Sequence, residues 1–159
     1  MNKRASLLFA HGIFLLLCAI LTLPAAAQIT IVEVTQQEFP AVYQTDRGGA
    51  IVMNWDSSIK SVRGLTLFGG FYSSAEFLIS SDTNQQIDID IIPSSSPGVQ
   101  IAIREVYYQN KVYRKLPVTR LDNPGSGSSL FVGMEVSIDA NVTSEDALAI
   151  SYELIINER

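Results

Sequence analysis

From Leu130 to Val142 every second residue is apolar: Leu130, Val132, Met134, Val136, Ile138, Ala140 and Val142 alternate without a break against Phe131, Gly133, Glu135, Ser137, Asp139 and Asn141. A period of two is the signature of an extended strand with one face buried, and it is incompatible with the 3.6-residue period of an amphipathic helix. The same alternation returns in Leu148, Ile150, Tyr152, Leu154 and Ile156 after the polar connection Thr143-Ser144-Glu145-Asp146. These two runs predict a long C-terminal antiparallel hairpin. Val132, Met134, Val136 and Ile138 are expected to share one core with Leu148, Ile150 and Leu154.

Upstream, Ala75, Phe77 and Ile79 and then Ile87, Ile89 and Ile91 alternate on either side of Ser80-Ser81-Asp82-Thr83-Asn84, which predicts a second hairpin. Val99, Ile101 and Ile103 begin a further strand whose phase slips at Arg104-Glu105 before Val106 and Tyr108, as a β-bulge requires. Weaker strand patterns cover residues 29–35, 50–55 and 62–68. Turn residues separate the runs at Gly48-Gly49, Gly69-Gly70, Pro93 to Gly98 and Asn123 to Ser128. No segment after Gln28 carries helical spacing over three turns. About eight short strands with two-face alternation predict an all-β fold, a single antiparallel sandwich of the immunoglobulin-like kind rather than a closed barrel.

The first residues read differently. Lys3 and Arg4 precede an apolar run from Leu7 to Leu23, and Pro24 leads into Ala25-Ala26-Ala27, an A-x-A cleavage pattern before Gln28. Residues 1–27 are therefore expected to be a cleaved signal peptide and residues 28–159 the β domain, exported to the periplasm, cell surface or medium. The competing reading is an uncleaved membrane anchor, against which the helix-breaking Pro24 and the small residues after it argue. Cys18 does not mark a lipoprotein, because Leu17 stands where such signals need a small residue.

Export would remove Cys18 and His11, the chain's one thiol and one imidazole. Cys-His and Ser-His-Asp nucleophiles, zinc sites built on thiolate or imidazole, and disulfide staples are then excluded from the mature part. The chain has 11 Lys and Arg against 16 Asp and Glu, and losing Lys3 and Arg4 makes the remainder more acidic. Such a surface repels nucleic acid and anionic headgroups, so no nucleic-acid partner and, after cleavage, no membrane partner is expected.

Asp88 and Asp90 on one strand face, with Asp82 and Asn84 in the preceding turn, raise a calcium site. Two carboxylates on a flat strand supply too few oxygens, and no metal or cofactor is expected. Paired carboxylates for glycoside cleavage would need opposite walls of a cleft, and the short loops offer none, so no catalytic residue is nominated. Asn141-Val142-Thr143 fits a glycosylation acceptor pattern, read as chance in a chain with this export signal. The aromatics offer more. Phe71-Tyr72 follows two glycines, and Tyr107, Tyr108 and Tyr113 bracket a loop that could dock a glycan or protein, although one ring of each adjacent pair must point inward.

Several segments together resemble a known family: Phe39 after a first strand, Gly48-Gly49-Ala50-Ile51-Val52, Ser74-Ala75-Glu76-Phe77-Leu78-Ile79, Leu130 to Val136, and Ile150-Ser151-Tyr152-Glu153-Leu154-Ile155-Ile156-Asn157. On these the chain resembles the bacterial domain of unknown function 4402. Gly49-Ala50-Ile51 stands where that family often has Gly-Thr-Val, and Glu145-Asp146-Ala147 where it often has glycines. The resemblance implies an exported pilin-like sandwich without known enzymatic activity, and it supplies no catalytic residues.

The leading expectation is a non-enzymatic structural or adhesive subunit, of fimbrial type, that joins copies of itself or other surface subunits by strand addition. Its motive is the β-branched segment after Gln28, in which Ile29, Ile31, Val32 and Val34 form a candidate donor strand. The same residues could simply form an edge strand of their own sandwich. The alternative function is a monomeric binding module presenting the Tyr107-Tyr108 loop or residues 123–129 to a glycan or protein.

Overall fold

The computed structural model describes residues 28–44, 47–142 and 150–159. Among the described residues twelve strands run in the order β1 (Ile29–Thr35), β2 (Ala41–Gln44), β3 (Gly49–Met53), β4 (Ile59–Arg63), β5 (Leu65–Gly69), β6 (Ala75–Ser81), β7 (Ile87–Ser94), β8 (Val99–Tyr108), β9 (Lys111–Tyr113), β10 (Val118–Leu121), β11 (Ser128–Ile138) and β12 (Ser151–Glu158). The fold is an all-β sandwich with no helix among the described residues, and every strand pairing is antiparallel.

The strand with the cleanest alternation is the centre of the larger sheet. Along one side β11 pairs with β8 from Leu130 to Ile138. Along its other side β6 takes Ser128 to Val132 and β3 takes Met134 to Ile138, end to end, with β1 outside β6 and β4 outside β3. The smaller sheet is β10-β7-β12, and β2 with β5 makes a separate two-stranded ribbon. Leu130, Val132 and Met134 of β11, Ala75 and Ile79 of β6, and Ile87 and Ile89 of β7 are fully buried between the two sheets. Burying such side chains contributes about 1.5–3 kcal/mol each, and this is what fixes the phase of each strand.

Both predicted hairpins are corrected. β11 and β12 do not pair, because both sides of β11 are already occupied, and β12 instead joins β7 through Ser151 to Glu158. Likewise β6 and β7 belong to different sheets, so residues 82–86 carry the chain across the sandwich. Alternation specifies which face a strand buries and leaves its neighbour open. The core expectation holds for Val132, Met134, Val136 and Ile138, with Ile150 and Leu154 half-buried against it. Leu148 and residues 143–146 lie outside the described residues, as do residues 1–27.

The expected bulge is present, since Gly133 faces Glu105 while Met134 faces Ile103, leaving Arg104 as the extra residue. Twelve strands replace the expected eight partly because residues 62–68 are two strands. Gly64, with φ +63°, turns the corner between them, and a Cβ there would lie 2.3 Å from the Gly48 carbonyl oxygen.

Candidate functional site

The segment Ile29 to Thr35, with its apolar Ile29, Ile31, Val32 and Val34, is β1, the outermost strand of the larger sheet, paired to β6 of its own fold. Residues directly opposite in a pair share a face. Ile31 lies opposite the buried Ile79 and Glu33 opposite the buried Phe77, so both face inward. Val32 lies opposite the exposed Leu78 and faces out. Even so, Ile31 is 40 % exposed, alongside 50 % for Val32 and 56 % for Val34. An inward-facing isoleucine so exposed has none of the described residues packed fully over it.

Further along β1, at Glu33, β12 of the smaller sheet approaches and leaves a groove of about 370 Å³ between the two edge strands. Phe77, Ile150, Tyr152 and Leu154 give the groove its apolar lining, and Glu33, Gln36, Gln37 and Ser151 its polar lining. Phe77 and Tyr152 meet edge to face, with ring centroids 6.1 Å apart. The Tyr152 hydroxyl donates to Glu33 Oε1 at 3.4 Å, and burial together with the Glu33 carboxylate pushes this phenol up to about 12. Gln37 accepts the Ala75 N–H through Oε1 at 3.0 Å, yet among the described residues nothing accepts from its buried Nε2. An orphaned buried donor costs about 1–3 kcal/mol.

The seam is closed at its other end. Glu158 of β12 accepts hydrogen bonds from Ser81, the last residue of β6, at 2.6 Å and from Thr83, two residues beyond it, at 2.7 Å.

The tyrosines expected at a partner loop are not brought together. Tyr108 is fully buried, its hydroxyl reaching the Asp122 carbonyl at 3.3 Å. Tyr113 packs partly against the core with Lys111 over its ring. Tyr107 points outward, where it stacks on Trp55 at 3.9 Å and 10°, with Phe131 beside both. Sequence reasoning passed over Trp55, and the one signal for it was a lone Trp next to turn residues.

Phe71 and Tyr72 lie by contrast on the surface. Phe71 is 94 % exposed and Phe68 74 %, and Tyr43 meets Phe68 edge to face at 5.4 Å, giving the β2–β5 ribbon an aromatic surface. Asp88, weighed for calcium, is occupied by protein: the Arg120 N–H donates to it at 2.8 Å and Arg159 Nε at 2.5 Å, which hold its carboxyl below the usual range. Asp82 accepts the Gln28 N–H. Among the described residues no three His, Cys, Asp or Glu side chains are grouped to hold a metal ion.

No family model, no curated protein and no solved structure matches the chain. Strand edges open to solvent beside a partly apolar groove are features an extended peptide satisfies.

Proposed function

We propose that this is a non-enzymatic exported structural or adhesive protein that assembles by strand addition at the seam between β1 and β12. The observation that carries the reading is the open groove flanked by two edge strands, together with the exposed, inward-facing Ile31 on one of them and, among the described residues, no acceptor for Gln37 Nε2. An added strand supplies backbone carbonyls to such a site and covers its apolar walls, which is the physical basis of β-augmentation. The resemblance to the bacterial domain of unknown function 4402 points the same way, toward exported pilin-like subunits. Copies of the chain or other surface subunits are the partners this chemistry suits.

A second reading is favoured by one specific observation, the aromatic surface of Tyr43, Phe68, Phe71 and Tyr72. On it the protein is a monomeric module that docks a glycan or protein through the ribbon.

Sedimentation of the processed protein at rising concentration separates the two. Strand addition predicts multimers, whose subunits exchange slowly between differently labelled samples. A strict monomer at every concentration would leave the binding module standing.

A further inference from the structure

Strand edges invite pairing with other chains, and folds blunt them with cations, kinks, bulges or brevity. Most edges here are blunted. β4 carries Lys60 and Arg63, β9 is three residues long with Lys111 at its start, and β8 bulges at Arg104. β10 is four residues long with Arg120 in the left-handed region at φ +59°, and β12 carries Glu153 and Glu158. In the ribbon β2 has four residues and β5 bulges at Phe68.

β1 is different. It is seven residues long with no Lys, Arg or Pro, and its single charge, Glu33, faces inward to Tyr152. Its ladder with β6 is regular from Ile29 to Glu33 and slips at Val34. The regular stretch of five residues has Ile31 at its centre.

We propose that the free edge of β1 pairs with β1 of a second copy, antiparallel about a two-fold axis at Ile31. The proposal rests on the strand-addition reading and names its partner and register. In this register Ile31 faces itself, Thr30 faces Val32, and Ile29 faces Glu33. No charge meets a like charge, whereas a charged partner strand would find no counter-charge along this edge. Ile31 lies on the inner face of β1, so pairing brings the two exposed isoleucines together and covers them both. The contact is isologous and gives a closed dimer.

The test uses the full chain in a Cys18→Ser background, so that an introduced thiol is the only one. Directly opposite residues in an antiparallel pair have Cα atoms about 4.5–5.5 Å apart, within disulfide range. Mild oxidation of Ile31→Cys should give mostly covalent dimer, while Val34→Cys and Leu67→Cys should give little. Ile31→Lys puts two ammonium groups opposite each other and should weaken dimerisation by about tenfold or more, with the monomer's melting temperature nearly unchanged. Leu67→Lys, on the ribbon, should leave the dimer intact.

Association that survives Ile31→Lys but is lost on deleting residues 28–35 would overturn the two-fold pairing and leave strand addition standing. Equal cross-linking at all three cysteines would also overturn it. A strict monomer would remove both.

Discussion

Tyr152 and Glu33 lie 119 residues apart in sequence, yet the phenol of one donates to the carboxylate of the other across the mouth of the seam. The last strand is thereby tied to the first. Because burial and the neighbouring carboxylate raise this phenol from 10.0 to about 12, the folded chain holds its proton where an unfolded chain releases it. The contribution to stability is complete below pH about 10 and is lost as pH rises from there through 12. Denaturant titrations between pH 9 and about 12 should show stability falling with pH, and Tyr152→Phe should flatten that fall. Tyr108, whose phenol is also raised by burial, would account for a residual slope.

Glu135 is buried on the outer face of β11, where Arg63 reaches one carboxylate oxygen at 3.1 Å and Arg104 Nε the other at 2.7 Å. The arginine side chains remain largely in water. Glu135→Ala removes bonds to a charged group and should cost about 2 kcal/mol, whereas Arg63→Ala should cost under about 1 kcal/mol. Urea unfolding of the two variants and of the double variant measures the difference and its coupling.

Gly133 sits where β6 and β3 meet end to end along β11. A Cβ there would lie 2.8 Å from the Trp55 backbone nitrogen, 3.0 Å from the Asn54 carbonyl carbon and 3.0 Å from Glu105 Cγ. Gly133→Ala forces backbone apart and should cost about 2 kcal/mol, with loss of the Trp55–Tyr107 stack visible in near-ultraviolet circular dichroism.

Ile89 and Ile92 are three residues apart on β7, the first fully buried and the second 48 % exposed. Ile89→Ala should destabilise by about 3 kcal/mol and Ile92→Ala by less than about 1 kcal/mol. Similar losses in chemical denaturation would mean that β7 presents its faces otherwise.

The buried face of each long strand was legible because a period of two admits one register with the core. Val132, Met134, Ile89 and Phe77 are all buried as their alternation requires. The bulge at Arg104 was legible for the same reason, as a slip in phase. Strand partners were not, because pairing depends on which edges remain free, and β11 has neither edge left for β12. The seam was half legible. Ile29, Ile31, Val32 and Val34 stood out as β-branched residues in one segment, while the groove beside them depends on how closely two sheets approach, which no local pattern encodes. Tyr107 and Tyr108 show the limit of adjacency: one ring had to face inward, and it is Tyr108.

Strand addition at β1 makes a claim about individual backbone amides, and hydrogen exchange reads them directly. Amides on the free edge of β1, between Ile29 and Glu33, should exchange fast in dilute protein and gain protection as concentration rises, while those of β4 stay unchanged. In Ile31→Lys that gain should disappear. Protection of β1 that is the same at every concentration, in a chain that stays monomeric throughout, would contradict the account.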